Sequence, residues 1–362
     1  MNTDVLIIGG GPAGLSAAIE LGERNLDVTI VDEFYQLGGQ LRQQTQVLTS
    51  LPSHFQPIRG FELAEKLVEQ VNQLPIRKLL KHRVIGLYKD GSIGVTDEEN
   101  VFPINAKKIL VATGAYDKTI PFLKWTLPGI MTIGAAQILI NRDLVSPGKE
   151  TVIVGLSDFS LDVAMQLQHV GIQVKAILKP NGQTIICNQG KYNEVLSAGI
   201  PIYKNVEILE AKGNGKVEEI IINHDSQQKS FNVDFVGIDG GRSPILDIFY
   251  QLECSFGYNE DLGGWVPQYN SNLRTSNQDV FLAGNASGIS PSGVLILTGQ
   301  VAAISIAEEL KAISKGEAET FRNSYWKEIE KIESKESPMT WKARKEHIED
   351  FLQPMLKDQF IS

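Results

Sequence analysis

The chain has 362 residues, 42% of them hydrophobic and 21% charged, with a formal net charge of −9 at pH 7. That is ordinary globular composition, with material for two or three compact units. The acidic balance leaves no basic surplus to neutralise phosphates, which excludes a nucleic-acid binder.

No apolar run approaches the roughly 18 residues of a spanning helix. The opening MNTDVLIIGGGPAG lacks the basic and apolar regions of a secretory signal, so a cytoplasmic protein without a membrane span is expected. Cys187 and Cys254 stand far apart and no Cys-x-x-Cys occurs. This removes a close-spaced redox dithiol, a four-cysteine iron–sulfur cluster and a cysteine zinc site. His54, His82, His169, His224 and His347 show no metal-ligand spacing, so no metal is expected.

In chain order, DVLII predicts a strand at 4–8, followed by GGGPAG, a helix to about Arg24 and the strand DVTIVDE. FELAEKLVEQVNQL has helical spacing, and an Asp90-Gly91 turn predicts a hairpin. KKILVATGA is a strand closing on a glycine turn. TIGAAQILINRDLV predicts a helix before Pro147-Gly148. A second βαβ unit opens at Thr151 with TVIVG and ends in IQVKAIL. PIYKNVEILEA and EEIIINHD read as strands and FNVDFVGIDGG as one return strand. DVFLAGNASG is a strand and turn leading into the helix GVLILTGQVAAISIAEEL. Residues 311–362 carry ten Lys/Arg and ten Asp/Glu on helix-like segments. Trp326 and Trp341 interrupt them, either to anchor a partner or to pack back on the domain.

The first glycine turn satisfies G-x-G-x-x-G with Gly9, Gly11 and Gly14. The first glycine allows a tight turn, the second lets backbone approach a pyrophosphate, and the third allows close helix–strand packing. The helix N-terminus then offers free N–H groups to the phosphates. Asp32 ends the next strand, where a carboxylate accepts ribose hydroxyls. Three later segments point to FAD as the dinucleotide. They are Leu37-Gly38-Gly39-Gln40, the Thr113-Gly114-Ala115 turn, and VFLAGNASG before a long helix. In VFLAGNASG, Asn285 stands where an acidic residue normally holds the ribityl chain. Its amide oxygen is expected to accept there without a charge. The helix start near Val294 and Leu295 is expected to aim a positive end at the flavin. Gln40, Arg42, Gln43 and Gln44 are candidates to lie near the isoalloxazine.

With these motifs in order, the sequence resembles the two-dinucleotide-binding-domain flavoproteins, the superfamily of thioredoxin reductases and their ferredoxin–NADP reductase relatives. Three stretches resemble the FAD-binding alpha or B subunits of amino-acid and opine dehydrogenases, hydroxyproline dehydrogenase and hydrogen cyanide synthase. They are LPGIMTIGAAQILI, VSPGKETVIVG and the run from Gly240 to Ile289. The resemblance covers roughly residues 4–310. It implies an α/β fold of two Rossmann-like, three-layer ββα domains, the FAD domain split by an inserted NAD(P)-type domain, and a helical C-terminal tail. The implied boundaries are 1–117, 118–235, 236–310 and 311–362. It also implies that Gly9, Gly11, Pro12, Ala13, Gly14, Asp32, Glu33, Gly39, Gln40, Val84, Thr113, Gly114, Gly284 and Asn285 line the FAD site. The tail to residue 362 carries no cysteine, so any iron–sulfur relay is expected to come from a separate protein.

The second turn departs from the fingerprint. It reads Gly155-Leu156-Ser157-Asp158-Phe159-Ser160, with Ser157 where a pyrophosphate needs bare backbone. Asp158 and Asp162 resemble the Gly-Gly-Gly-Asp-Ser-Ala-x-Glu-like run of active reductases. Lys179 ends the next strand, where a base meets a 2′-phosphate or stands as a solvated charge. Gly155, Ser157, Asp158 and Lys179 are the candidate NAD(P)H site.

The implied function is an FAD-dependent oxidoreductase, the electron-transferring subunit of an amine- or amino-acid-oxidising complex. The alternatives are a stand-alone NAD(P)H-dependent flavin reductase and a redox-inactive nucleotide-binding scaffold. Expected partners are a small-molecule substrate or electron-transfer protein, a second subunit, and further copies of this chain in a homo-oligomer.

Overall fold

The computed structural model describes residues 1–183 and 187–358, with side chains to Phe351. The last four residues of the expected tail lie outside the described residues. Two compact units form: Met1–Arg42, Val47–Tyr116 and everything from Ser243 make the first, Gln43–Gln46 and Asp117–Arg242 the second.

The first unit opens with β1 (Asn2–Ile8), α1 (Pro12–Gly22) and β2 (Val28–Asp32). α2 (Gly60–Asn72), β3 (Arg77–Leu80), β4 (Arg83–Leu87), β5 (Ile93–Thr96) and β6 (Val101–Val111) follow. The sheet order is β3-β2-β1-β6-β5-β4. β1 is parallel to both β2 and β6. Val5, Leu6 and Ile7 are fully buried, because a parallel strand is covered on both faces and so reads as an unbroken apolar run. β6 pairs antiparallel with β5 through its first half and parallel with β1 through its second. Pro12 starts α1, where its fixed φ suits a helix and no N–H is lost.

The second unit contains β7 (Ile130–Thr132), α3 (Ile133–Asn141), β8 (Glu150–Val154), α4 (Asp158–His169) and β9 (Gln173–Pro180). It continues with α5 (Gln189–Ser197), β10 (Ile202–Lys212), β11 (Glu219–His224), β12 (Gln227–Asn232) and β13 (Phe235–Ile238). The sheet order is β7-β13-β8-β9-β10-β11-β12. The first five strands are parallel and the last two pairings antiparallel. The expected single return strand FNVDFVGID is therefore two strands. The Asp234 carboxylate accepts the Lys149 and Glu150 N–H groups between them, and the chain changes from an antiparallel meander to a parallel partner of β8.

On returning to the first unit the chain forms α6 (Asp247–Gln251), the hairpin β14 (Phe256–Asn259) and β15 (Gly264–Pro267), and β16 (Val280–Leu282). β16 pairs parallel with the end of β6. α7 (Ser292–Glu309) follows, apolar all round and buried along most of its length, as a helix enclosed by its domain must be. The charged tail forms α8 (Lys315–Glu336) and α9 (Pro338–Asp358). Ser314 and Glu317 close a capping box at the start of α8. Trp326 and Trp341 pack back on the core, and Trp326 Nε1 donates to the Ser271 carbonyl at 2.9 Å.

His347 on α9 packs at a tilt against Tyr269, ring centroids 4.8 Å apart, and its Nε2 lies 2.9 Å from the Pro267 carbonyl. Burial holds its pKa below the ordinary histidine value, and the nearby Arg344 charge adds to this. The unfolded chain therefore binds a proton at about pH 6.5 that the folded chain refuses. Stability is full above that pH and falls as pH drops below it. Between pH 8 and pH 5, the melting temperature of wild type should fall further than that of His347→Gln. Equal losses would show that this ring does not govern the acid limb.

Candidate functional site

The glycine turns after β1, β6 and β16 and the carboxylate of Asp32 at the end of β2 lie at the C-terminal ends of the parallel strands, where open α/β sheets bind ligands. β1 ends at Gly9, whose φ of +107° suits glycine. A Cβ there would lie 2.3 Å from the Ala112 carbonyl oxygen. Gly14 packs against the same turn, its Cβ position 2.0 Å from Gly9 O. Gly11 differs, because a Cβ would meet only Gly39 Cα at 3.9 Å. The space beside it is open. Gly11 is the N-cap of α1 and no side chain caps the helix, so Ala13 and its neighbours present bare first-turn backbone.

The second glycine turn lies against the first. Gly38 N–H donates to Gly10 O at 2.8 Å, and a Cβ on Gly39 would reach Gly11 Cα at 2.8 Å. Gln40 Nε2 donates to the Ala115 carbonyl, and Arg42 Nη1 to that of Leu37. Arg42 Nε is buried without a partner. Gln43 and Gln44 belong to the second unit, each with a buried, unpartnered side-chain oxygen.

Asp32 accepts the Gly10 N–H at 2.6 Å and the Phe34 N–H at 2.8 Å. Burial nevertheless raises its carboxyl above the usual range, against the pull of those two amides. Each oxygen keeps a lone pair for a ribose hydroxyl, which would relieve the desolvation. Glu33 instead faces solvent, 3.6 Å from Arg83. Val84 is half-buried against the core on β4. The segment before it runs beside Asp32, since the His82 N–H donates to the Asp32 carbonyl.

Thr113 and Gly114 close β6 and are bonded to Ile245. Gly284 and Asn285 close β16 beside them, and Gly284, at φ +69°, lies against Ala13. Asn285 Oδ1 accepts the Ser290 N–H at 3.2 Å. Its oxygen was the expected acceptor for a ribityl hydroxyl. Ser290 takes one lone pair of that oxygen, and the second, with the Nδ2 amide, remains for a ribityl hydroxyl. At the start of α7 the first amides bond within the protein. The Val294 and Leu295 N–H groups both donate to Pro291 O, and Gly293 N–H to Ser50 O. These amides are spent within the protein, and Val294 is fully buried.

The second unit repeats the first turn's frame and closes it. Gly155, at φ +114°, has its Cβ position 2.0 Å from Asp239 O, as Gly9 has against Ala112. Gly155 N–H donates to Leu178 O just as Gly9 N–H donates to Val31 O. Lys179 therefore occupies the position of Asp32. It is 8% exposed, a buried group rather than a solvated charge.

Where α1 is uncapped, Ser157 caps α4. Its Oγ accepts from Phe159 and Ser160 N–H at 3.1 and 3.4 Å and donates to the Asp239 carboxylate at 2.5 Å. Ser160 Oγ takes the Ser157 N–H, and Gln183 Oε1 takes that of Leu156. Asp158 accepts the Asn188 N–H at the start of α5. The amides that would hold a pyrophosphate are thus bonded internally, with two carboxylates beside them. Ser160 stands in the third slot of the run, but Gln183 and Asp239 escaped sequence reading because no fingerprint spacing marks them.

Cys187 and Cys254 are free thiols, both shifted up in pKa by burial, so neither is poised as a thiolate. Among the described residues no group of acidic, histidine or cysteine side chains could hold a metal. No described helix is long and apolar enough to cross a membrane.

Comparison with known proteins agrees with this architecture. The chain is 27% identical over 359 residues to hydrogen cyanide synthase subunit HcnB of Pseudomonas aeruginosa, covering 92% of this chain and 76% of that one. It is 25% identical over 330 residues to an opine oxidase subunit from Rhizobium meliloti, covering 85% and 71%. Among solved structures, L-proline dehydrogenase from P. horikoshii superposes with a TM-score of 0.72 at 23% identity. That match covers 90% of this chain and 59% of the longer dehydrogenase chain. Thioredoxin reductase from T. acidophilum gives 0.70 at 20% identity, covering 86% and 99%. These two likenesses establish the fold as thioredoxin reductase-like. Residues 3–312 match the family described as pyridine nucleotide-disulphide oxidoreductase, and the chain belongs to that family of oxidoreductases.

Proposed function

We propose that the chain is the FAD-carrying subunit of a complex that oxidises amines or amino acids, and that it does not take electrons from NAD(P)H. The observation that carries this reading is the contrast between two homologous turns. One is open and uncapped at Gly11; the other is closed by Ser157, Ser160 and Gln183. The names of the relatives support the rest, since hydrogen cyanide synthase and opine oxidase are both represented by a subunit.

In this reading Gly11, Ala13, Gly14 and Gly39 hold the FAD pyrophosphate against α1. Asp32 orients the adenosine ribose, and the Asn285 amide donates to the ribityl chain. Bound flavin supplies a hydride acceptor for a carbon–hydrogen bond next to nitrogen. The protein's part is to hold the cofactor and keep its own thiols out of the exchange. Both cysteines are buried or raised in pKa and they form no dithiol motif, so no disulfide relay is built in.

The purified chain, loaded with FAD and mixed anaerobically with NADH or NADPH, should keep its flavin absorption band. A second chain should co-purify from the native source. Fast bleaching by either nicotinamide would favour the stand-alone reductase and sink this proposal. Failure to bind FAD at all would favour the redox-inactive scaffold.

A further inference from the structure

The charged tail buries one ion pair completely. Glu333 of α8 and Arg344 of α9 are both 0% exposed. Arg344 Nε and Nη2 donate to the two Glu333 oxygens at 3.0 and 2.9 Å. The other donations go elsewhere. Nη1 donates to the Tyr269 hydroxyl at 2.9 Å and the Ser287 carbonyl at 2.8 Å, and Nη2 donates to Ser290 Oγ at 2.6 Å. Ser287 closes the Gly284–Ser287 turn, and Ser290 is the residue whose N–H holds Asn285 Oδ1. Ser290 Oγ also donates to Glu333 at 2.9 Å. A continuous set of bonds therefore runs from α9 to the Asn285 side chain.

We infer that Arg344 is a positioning residue for the cofactor: through Ser287 and Ser290 it sets the orientation of the Asn285 amide. The inference rests on the FAD reading. It concerns residues outside the family match, which ends at residue 312. A buried ion pair is weak evidence for stability, since apolar residues of similar volume often replace it without loss. Here the guanidinium spends several bonds on one backbone turn, which an apolar substitute cannot do. By linkage, a tail that favours the FAD-binding turn must itself be favoured when FAD binds.

The test uses the full chain with FAD as probe. Dissociation constants come from flavin fluorescence, fold from far-UV circular dichroism of the apoprotein, and tail order from amide exchange over residues 338–351. In wild type, FAD should slow exchange in α9. The double variant Arg344→Met, Glu333→Leu removes the pair without leaving a lone charge. It should fold, bind FAD on the order of tenfold more weakly and shift the flavin absorption band. Ser290→Ala, a milder change, should weaken binding about threefold and reduce the FAD-dependent protection of α9. Wild-type affinity in Ser290→Ala or in a folded double variant would overturn the inference. So would a wild type that binds FAD without any protection of α9. If the double variant does not fold, Ser290→Ala decides alone. A wild type that binds no FAD overturns the FAD reading, and this inference with it.

Discussion

Gly11→Ala should cost about 100-fold in FAD affinity, roughly 2.7 kcal/mol, while the apoprotein keeps its fold and melting temperature. The backbone at Gly11 has φ −77° and ψ −175°, which any residue adopts. Its Cβ position meets no protein atom closer than 3.9 Å. A methyl group there disturbs nothing in the protein and would fill the space that the proposed FAD pyrophosphate needs. Gly14→Ala makes the control. Its Cβ would sit 2.0 Å from Gly9 O, so that variant should lose the unit's stability rather than its ligand alone. Titration of FAD into both apoproteins, with thermal melts beside it, separates the two. If Gly11→Ala binds FAD like wild type, the pyrophosphate does not lie on this turn.

Gly299→Ala should lower the melting temperature by about 5–10 °C, an overpacking cost of roughly 2–3 kcal/mol in a unit of this size. Gly299 sits in α7 where the helix crosses α1. An added Cβ would stand 2.2 Å from the Ala13 carbonyl oxygen, and backbone cannot swing aside as a side chain can. Gly284 also lies close to Ala13, since a Cβ added there would come 2.9 Å from Ala13 Cβ. The same substitution should therefore weaken FAD binding, because α1 can retreat only by moving its first turn. A melting temperature within about 1 °C of wild type would show that the helices separate at no cost.

Much of the first site was legible in sequence because its chemistry has a spacing. A pyrophosphate held by backbone needs glycines at set intervals between a strand and a helix, and Gly9, Gly11 and Gly14 meet that need locally. The second glycine turn at Gly39 and the late turn at Gly284 were legible for the same reason, and the structure brings Gly39 and Gly284 against the first turn. The direction of the Asn285 side chain was not. Its oxygen is claimed by Ser290, a neighbour whose own position depends on two residues far along the chain. The spent amides at Val294 and Leu295 follow from the local geometry of Pro291, which composition does not report.

The damaged second motif divides in the same way. That Ser157 spoils the fingerprint was plain from its place in the run. That its hydroxyl caps α4, with Gln183 and Asp239 completing the closure, depended on a loop and a strand end meeting the turn in space. Charge patterning marked the tail as charged and helical, since lysines and glutamates dominate it. It could not mark Glu333 and Arg344 as different from their neighbours. A charge is buried only when a partner arrives to satisfy it. The sequence by itself determined the two strand–turn–helix units and the glycines of their turns, because those rest on contacts between near neighbours. Which amides stay open, which are capped, and which charges leave water were decided only by the tertiary structure, because each depends on groups brought together from distant parts of the chain.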